Sequence, residues 1–338
     1  MSGPAINARA AARPELGGVE RWARELVARL PYDVHRPPSA LTHAAGHAWE
    51  QGLLPLTSAR ASALLCPANL APVAARNVVV VIHDAAPLRH PGWYTGVYAA
   101  WQRRVLPLIA KRARQVITVS EFSRTELQEL LGVDAEVVYG GVDPRFTPAA
   151  GGEARGGGEA HEGGGPRGAA GRPYVLCVAS HTARKNLRAL VPAAEALARE
   201  GVALRVAGGH RPQFAAEEGL DALELLGHVP DEDLPALYAG AVAFVLPSVY
   251  EGFGLPVLEA MASGTPVVTT NVTALPETAG GAAVLVDPDP EAIRAALLQL
   301  LGDRAEQARL RALGLARAAE FTWERTATAV DAIVRRTR

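Results

Sequence analysis

The sequence has little of what disulfide-stabilised or membrane-spanning proteins require. Its 338 residues include two cysteines, Cys66 and Cys177, which lie too far apart for a CxxC pair, so a disulfide scaffold and a cysteine-rich metal site are excluded. The longest apolar runs, Val78–Ile82 and Ala241–Pro247, are far shorter than the about 20 residues of a membrane-spanning helix. The residues that follow Met1 include no apolar segment of the kind that a signal peptide requires, so we expect no signal peptide. We therefore expect a soluble, cytoplasmic protein.

Charge is balanced overall but not along the chain. Residues 1–148 carry 16 Lys/Arg against 12 Asp/Glu, a net of +4, whereas residues 173–338 carry 15 against 20, a net of −5. A mildly basic first half favours an anionic acceptor or a membrane surface as a partner. The basic residues do not cluster with aromatic ones as in nucleic-acid-binding surfaces, so we expect no nucleic-acid partner.

Length and composition predict two domains joined by a flexible linker. At roughly 150 residues per domain the chain has room for two. Ten of the 21 residues from Gly151 to Gly171 are glycine, and the segment offers too few apolar side chains to offset the entropy of ordering it. We therefore predict a first domain over residues 1–148, a linker over 149–172 and a second domain from residue 173.

Short β-branched runs alternate with helical patterns in both halves. Continuous apolar strands between helices indicate a parallel sheet covered on both faces, and therefore an α/β fold of two doubly wound, Rossmann-like domains. Two such domains would face each other across a cleft at the carboxyl ends of the strands, where these folds bind ligands. The strands predicted in the first half are Ala5–Asn7, Leu64–Cys66, Val78–Ile82, Val116–Val119 and Glu136–Val138. The strands predicted in the second half are Tyr174–Val178, Leu204–Ala207, Leu223–Leu226, Val242–Leu246, Pro266–Thr269 and Ala283–Val286.

A loop with two glutamates follows the fourth predicted strand of the second half. The amides of Phe253, Gly254 and Leu255 stand where a helix begins and would bind an anion. Glu251 precedes these amides and Glu259 follows them by about one helical turn, so both carboxylates would accept hydrogen bonds from sugar hydroxyls. A capped helix with one solvated glutamate is the alternative.

Positive charge follows the first strand of the second half. Adjacent Arg184 and Lys185 at a strand's carboxyl end are suited to clamp a diphosphate and to neutralise its charge as it leaves. The alternative is a solvated helix start, although cations there oppose the helix dipole. We expect Lys185 to be exposed and to contribute little to stability.

The first half offers two weaker candidates. Gly17 and Gly18 precede a helix predicted over Val19–Leu30, so their amides would meet an anion, with a plain turn as the alternative. His83 and Asp84 end the strand at Val78–Ile82, which is the position of a cleft residue, with a capped strand end as the alternative.

Taken together, these segments resemble the GT-B glycosyltransferases of family GT4, which are retaining enzymes that use nucleotide sugars. The two glutamates eight residues apart are the most specific feature, and the segments beginning at His47 and Ile82 resemble the branch that contains O-antigen mannosyltransferases. The matching segments, in family order over nearly the whole chain, are Gly17–Glu20, His83-Asp84, Val119–Ser123, Gly140–Asp143, Arg184–Asn186, Gly227–Val229 and Glu251–Glu259.

The resemblance implies a role for each donor-side residue. Glu259 would hold the ribose hydroxyls, Arg184 and Lys185 the diphosphate, and the backbone near Val229 the base. Glu251 and the three amides that follow it would grip the donor sugar and its phosphate. Family enzymes need no metal and no further cofactor.

The resemblance also implies the reaction. His83 would approach the transferred sugar, a mannose-like hexose, and the acceptor would be a glycan, a lipid-linked sugar or a small molecule. Residues 321–338 would form a helix that returns to the first domain, so that the second domain spans 173–320. The alternatives are another nucleotide-sugar enzyme on this fold, such as an epimerase, and a non-catalytic subunit that binds nucleotide sugar.

Two motifs imitate metal sites. Asp231-Glu232-Asp233 has the DxD pattern but starts a helix, where aspartate is a good N-cap. His43 and His47 have ligand spacing, but no third ligand accompanies them, so we expect loop histidines and no bound metal.

A helix predicted over Val97–Arg114 bears on membrane contact. It places Arg103, Arg104, Lys111 and Arg114 opposite Trp101, Leu108 and Ile109. Such a basic face can lie on anionic lipid at the inner membrane surface, although Pro107 is expected to interrupt the helix and ordinary core packing is the alternative.

Overall fold

The computed structural model of the chain describes residues 3–13, 17–38, 43–149, 172–209 and 219–337. The chain divides into two compact units, Met1–Gly141 with Phe321–Arg338 and Val142–Glu320. The division lies before residue 148 because Arg145 forms an ion pair with Asp231 at 2.7 Å and the ring of Phe146 packs against that of Tyr238 at 5.5 Å. Of the predicted linker, residues 150–171 lie outside the described residues.

The first unit is built on a parallel sheet, six strands of which lie in the described ranges. In chain order they are β1 (Ala5–Asn7), β2 (Asp33–His35), β3 (Leu64–Cys66), β4 (Val78–Val81), β5 (Gln115–Thr118) and β6 (Glu136–Val137). Their order across the sheet is β2-β1-β3-β4-β5-β6, and each neighbouring pair is parallel. The order reverses direction between β1 and β3, which is the topological switch point of this sheet.

The second unit repeats the architecture with another order. Its described strands are β7 (Tyr174–Val178), β8 (Ala203–Ala207), β9 (Glu224–Gly227), β10 (Ala243–Leu246), β11 (Val267–Thr270) and β12 (Val284–Val286). The order β12-β11-β10-β7-β8-β9 is that of a doubly wound dinucleotide-binding sheet, and its switch point lies between β7 and β10. All neighbouring pairs are parallel, which confirms the predicted fold class.

Helices cover both sheets. In chain order the α-helices of the described residues are α1 (Gly18–Arg29), α2 (His43–Gly52), α3 (Leu54–Thr57), α4 (Ala86–Arg89), α5 (Gly96–Arg112), α6 (Glu121–Leu131), α7 (Val191–Arg199), α8 (Leu234–Ala239), α9 (Leu255–Ala262), α10 (Leu275–Ala279), α11 (Pro290–Gly302), α12 (Arg304–Ala318) and α13 (Trp323–Arg336). No helix in the described part of the chain is both long and apolar enough to cross a membrane.

The central strands form where β-branched residues are buried on both faces. All four valines of β4 are buried, as are the middle residues of β7. β2 was not predicted, because its sequence Asp33-Val34-His35 is polar and it pairs only at the edge of the sheet, where Val34 is 42% exposed.

The C-terminal helix α13 belongs to the first unit, as predicted. Its Trp323 is buried, and the indole packs edge-on against that of Trp22 in α1 with ring centroids 6.3 Å apart. Thr326 Oγ1 donates a hydrogen bond of 2.8 Å to the carbonyl oxygen of Tyr139. The chain therefore returns to the unit in which it begins.

Helix α5 differs from its prediction in two respects. It continues through Pro107, which the sequence predicted to interrupt it, and it ends before Arg114. Leu108 is 46% exposed and lies among the exposed residues Arg104 and Lys111, instead of opposite the basic face. The exposed side of α5 thus combines basic and apolar residues.

Candidate functional site

The candidate site begins at the switch point of the second sheet. After β7 the chain forms a 3-10 turn at Ala183–Lys185 and then reaches Asn186, whose φ of 54° lies in the left-handed region that asparagine tolerates. The Asn186 side-chain amide donates hydrogen bonds of 3.1 Å to the carbonyl oxygens of Pro247 and Pro288. This amide fixes the turn after β7 to the loops that follow β10 and β12.

Three charged side chains meet at this switch point. Lys185 Nζ donates a hydrogen bond to Glu251 Oε1, and Arg184 Nη1 lies 3.3 Å from Glu251 Oε2. Ser248 Oγ donates to Glu251 Oε1 at 2.7 Å, and the backbone N–H of Glu251 donates to Thr273 Oγ1 at 3.1 Å. The three predicted residues Arg184, Lys185 and Glu251 are therefore brought together, and Ser248 and Thr273 are additions that the sequence did not indicate.

In the cluster of Arg184, Lys185 and Glu251, Lys185 and Glu251 are buried and Arg184 is half-buried, and two cations accompany one carboxylate. Burial acts to raise the pKa of Glu251, but the charges of Lys185 and Arg184 and the hydrogen bonds from Lys185 and Ser248 hold that pKa below its ordinary value. Burial lowers the pKa of Lys185, and the carboxylate of Glu251 opposes this effect. The expectation of an exposed Lys185 is wrong, since the residue is 7% exposed.

The loop after Glu251 approaches α9 through a strained glycine. Gly254 has φ of 98°, and a Cβ at this position would lie 2.8 Å from Leu275 Cδ2. Thr278 Oγ1 donates a hydrogen bond to the carbonyl oxygen of Phe253 and holds the loop against α10. Helix α9 starts at Leu255, as predicted; Pro256 has no N–H, and the N–H of Val257 donates a hydrogen bond of 2.9 Å to the carbonyl oxygen of Gly254.

Glu259 is held by a side chain that sequence reasoning missed. It is 4% exposed, and its Oε2 accepts a hydrogen bond of 2.9 Å from the hydroxyl of Tyr238. Tyr238 is fully buried between the rings of Phe146 and Phe244, at centroid distances of 5.5 and 5.4 Å. The one feature of the sequence that could have indicated this contact is the tyrosine in the otherwise apolar helix α8, since a buried hydroxyl needs a hydrogen-bond partner. The contact fixes the orientation of the Glu259 carboxylate.

Val229 lies apart from the charged cluster. It follows β9, which ends at Gly227 with φ of 66°, and it is half-buried. Because β8 separates β9 from β7, the carboxyl ends of β9 and β7 stand about 10 Å apart across the sheet edge. That separation is of the size that a nucleotide spans.

The glycine pair before α1 is used differently from its prediction. The N–H of Gly17 donates a hydrogen bond of 3.0 Å to Glu20 Oε2, and Arg13 Nη1 lies 3.3 Å from Glu20 Oε1. The Gly17 N–H is thus already hydrogen-bonded to the carboxylate of Glu20, as in a capping box, and not open to an outside anion. Gly18 is exposed.

His83 is buried at the end of β4 and has a defined tautomer. Its Nε2 lies 3.0 Å from the carbonyl oxygen of Pro67, which can only accept, so Nε2 carries the proton and Nδ1 is an acceptor. The Asn69 side chain accepts from the His83 N–H at 2.7 Å, and the indole of Trp22 packs edge-on at 5.5 Å. Burial lowers the pKa of His83, so its neutral form is favoured.

The two metal-like motifs have other contacts. Asp231 pairs with Arg145, and Asp233 stands at the N-cap position of α8 but makes no capping hydrogen bond, so the predicted capping contact is wrong. His47 lies in helix α2 and not in a loop, with its ring 5.1 Å from that of Trp101. Across the described ranges, no group of three or more His, Cys, Asp or Glu side chains is arranged to hold a metal ion.

Comparison with known sequences finds two family profiles in the chain. "Glycosyl transferases group 1" matches residues 172–303, and "Glycosyltransferase Family 4" matches residues 56–146. O-antigen chain mannosyltransferase B of Escherichia coli is 35% identical over 269 residues, which cover 75% of this chain and 68% of that protein.

Comparison with solved structures finds the same two-domain GT-B architecture. Sucrose-phosphate synthase from Thermosynechococcus elongatus superposes with a TM-score of 0.76 at 21% identity, over 99% of both chains. HepE of Anabaena, solved in complex with UDP-glucose, superposes with a TM-score of 0.74 at 16% identity, also over 99% of both chains.

Proposed function

The chain belongs to glycosyltransferase family 4, the glycosyl transferases group 1, and from this premise we propose that it transfers a hexose from a nucleotide-diphosphate sugar with retention of configuration and without a metal ion. Sugar transfer itself follows from membership of the family. The donor, the stereochemistry and the acceptor are the proposal.

The observation that carries the proposal is the cluster of Arg184, buried Lys185 and buried Glu251 at the switch point of the second sheet. Its net charge of +1, carried by largely buried side chains, favours an anion, and a diphosphate gains negative charge when the glycosidic bond breaks. The aligned amide dipoles at the start of α9 also favour negative charge on the bound diphosphate. Fixed cations and amides thus supply what a metal supplies in other transferases.

The remaining donor contacts follow from position. Glu259, oriented by Tyr238, presents a carboxylate for the ribose hydroxyls, and the backbone near Val229 contacts the base. The relative HepE binds UDP-glucose, which supports a nucleotide-sugar donor, and the mannosyltransferase relative favours a mannose-like hexose.

In the proposed reaction the acceptor hydroxyl attacks the anomeric carbon from the face that the diphosphate leaves. The leaving phosphate oxygen takes the hydroxyl proton, and Arg184 and Lys185 stabilise the resulting diphosphate. His83 is neutral and carries its proton on Nε2, so its Nδ1 can accept a hydrogen bond from a hydroxyl of the transferred sugar.

A glycan, a lipid-linked sugar or a small molecule would bind at the first unit, and the protein would work in the cytoplasm. The exposed basic and apolar residues of α5, among them Arg104, Leu108 and Lys111, support contact with an anionic membrane surface.

Binding and stereochemistry test the proposal separately. UDP-, GDP- and dTDP-sugars are screened by thermal shift, where a ligand at 100 times its Kd stabilises by about 2.7 kcal/mol. The anomeric configuration of the product is then read by NMR. Stabilisation by one donor class and a product of retained configuration are expected, and an inverted product contradicts the mechanism.

Two rival functions predict other products. An epimerase releases an isomerised sugar without any acceptor, and a non-catalytic subunit binds donor without releasing nucleoside diphosphate. Product analysis with and without acceptor separates them from a transferase.

A further inference from the structure

One threonine beside the donor site has a backbone conformation that its side chain disfavours. Thr273 follows β11 and has φ of 58°, in the left-handed region. The other non-glycine residues at positive φ in the described ranges are asparagines, which tolerate this region, namely Asn69, Asn77 and Asn186. A β-branched side chain at this φ is strained, and such strain persists where the surrounding structure holds it, often at functional sites.

The hydroxyl of Thr273 makes a contact that glycine or valine could not make. Its Oγ1 accepts a hydrogen bond of 3.1 Å from the backbone N–H of Glu251, which joins the loop after β11 to the loop after β10. Glu251 is 5% exposed, and a buried N–H without an acceptor is costly. The hydroxyl therefore holds the peptide of Glu251 in place, and glycine, which would relieve the strain, would also remove this acceptor.

Two further threonines fix the same loop on either side of Glu251. Thr270 Oγ1 donates a hydrogen bond of 2.6 Å to the carbonyl oxygen of Ser248, and Thr278 Oγ1 donates one to the carbonyl oxygen of Phe253. Both threonines are buried. The contact at the Glu251 N–H therefore acts between two points of the loop that are already fixed.

The orientation of the Glu251 peptide decides where its carboxylate lies. That carboxylate accepts a hydrogen bond from Lys185 Nζ at one oxygen, and its other oxygen lies 3.3 Å from Arg184 Nη1. Charge-assisted hydrogen bonds are lost when the two atoms move apart by about 1 Å, so a turn of the peptide would break one of these contacts. We propose that Thr273 is a positioning residue that holds Glu251 in the orientation for donor binding, and that the chain keeps a strained backbone here for the sake of the hydroxyl.

Three substitutions at Thr273 separate the hydroxyl from the strain. Thr273→Ser keeps the hydroxyl without the β-branch, Thr273→Val keeps the branch without the hydroxyl, and Thr273→Ala removes both. Donor affinity should follow the hydroxyl, whereas loss of the branch should raise Tm whether or not the hydroxyl is present. A merely structural residue would instead make donor affinity follow Tm.

The contact itself is measured on the protein without any ligand. A hydrogen bond of this kind changes an equilibrium by about a factor of ten. Hydrogen exchange at the Glu251 amide should therefore be about tenfold faster in Thr273→Val and Thr273→Ala than in the wild type and Thr273→Ser. Equal exchange rates in all four proteins would overturn the inference, whatever donor the protein takes.

Donor binding reports what the contact does, and this part rests on the proposed function. Kd is measured by calorimetry for the nucleotide sugar that stabilises the wild type and for its nucleoside diphosphate. Thr273→Val and Thr273→Ala should each weaken binding of the nucleotide sugar about tenfold and binding of the diphosphate less than about threefold, because Glu251 is proposed to contact the sugar. Thr273→Ser should restore the nucleotide-sugar Kd to within about threefold of the wild type.

Thermal unfolding reports the strain. Thr273→Ser should unfold at a higher temperature than the wild type, and Thr273→Ala at a higher temperature than Thr273→Val, in each case by roughly 2–4 °C for a unit of this size. Thr273→Ala should thus be more stable than Thr273→Val and yet bind the donor as weakly. Donor affinity that rises with Tm across the four proteins, or wild-type affinity in Thr273→Val, would overturn the inference.

The matched control is Thr147→Val, at an exposed threonine of the same unit with ordinary φ. It should leave amide exchange at Glu251, both Kd values and Tm as in the wild type. A wild-type protein that binds no nucleotide sugar would contradict the proposed function, and amide exchange at Glu251 would still decide whether Thr273 positions that residue.

Discussion

Replacing Lys185 by alanine tests the proposed diphosphate clamp, and the structure predicts two separate effects. Lys185 is one of two cations on the buried Glu251 carboxylate, and it stands where the diphosphate would leave. Removing a preorganised group that stabilises transition-state charge costs about 10²–10³-fold in rate, or about 3–4 kcal/mol. We expect kcat/KM of Lys185→Ala to fall by that factor.

The same substitution should also destabilise the fold. Breaking a buried ion pair costs about 3–5 kcal/mol when the remaining charge is left alone. Here Arg184 at 3.3 Å and Ser248 at 2.7 Å still hold Glu251, so we expect a smaller loss of about 1–3 kcal/mol. For a unit of this size that loss lowers Tm by several degrees.

The assay compares four proteins: wild type, Lys185→Ala, Glu251→Gln and the double variant. Nucleoside diphosphate release gives kcat/KM, and thermal unfolding gives Tm. In the Glu251→Gln background, Lys185→Ala no longer leaves a buried carboxylate without its cation, so it should lower Tm by less than it does in the wild type. Its factor of reduction in kcat/KM should stay the same. Lys185→Arg is the control that keeps a cation.

Two results would refute this reasoning. If Lys185→Ala lowers Tm but keeps kcat/KM within threefold of the wild type, Lys185 only neutralises Glu251. If its rate effect vanishes in the Glu251→Gln background, Lys185 acts by positioning Glu251 and does not contact the diphosphate.

Three further predictions concern the backbone and one histidine. Gly254→Ala should lower Tm by several degrees and weaken donor binding, because it places a Cβ at positive φ and 2.8 Å from Leu275. Gly141→Ala should destabilise the first unit strongly, because its Cβ would overlap the backbone of Trp323 at the start of α13, as measured by thermal unfolding. Burial lowers the folded-state pKa of His83, so its contribution to stability is fully present above about pH 6.5 and is lost as pH falls toward the folded pKa; Tm should therefore drop less between pH 7.5 and 5 in His83→Gln than in the wild type.

Each of these predictions has a control. Gly302→Ala in the second unit and Gly96→Ala in the first place a Cβ in open space at ordinary φ, so neither should lower Tm by more than a degree or two. Equal Tm changes in Gly254→Ala and Gly302→Ala would show that the left-handed glycine is not required. An identical pH dependence of Tm in His83→Gln and the wild type would show that His83 does not titrate differently on folding.

The sequence predicted the sheets well because their strands are apolar on both faces. Ala5–Asn7, Leu64–Cys66 and Tyr174–Val178 have the predicted bounds, and each of the other predicted strands differs by one residue at one or both ends. β2 was missed because an exposed edge strand lacks that signal. Pro107 was expected to interrupt α5, because the local rule for proline does not include the packing of the helix against the rest of the unit.

The sequence could predict at which edge of the sheet the site residues lie, but not which side chains they contact. The predicted strand ends and the motif spacing place Arg184, Lys185 and Glu251 at one edge of the sheet. The burial of Lys185 and the hydrogen bond from Tyr238 to Glu259 depend on side chains far apart in sequence, and no local pattern reports such contacts. The contact of Gly17 with Glu20 is different, because it joins residues three apart and follows the local pattern of a capping box.

The central claim is that fixed cations of the chain, and not a metal ion, neutralise the leaving diphosphate. The direct measurement is the initial rate of sugar transfer in excess EDTA and again after addition of Mg²⁺ or Mn²⁺, with wild type and with the variant Asp231→Asn/Asp233→Asn. The account predicts that both proteins keep their full rate in EDTA and gain nothing from the metal. Loss of transfer in EDTA with recovery in Mn²⁺ would contradict it.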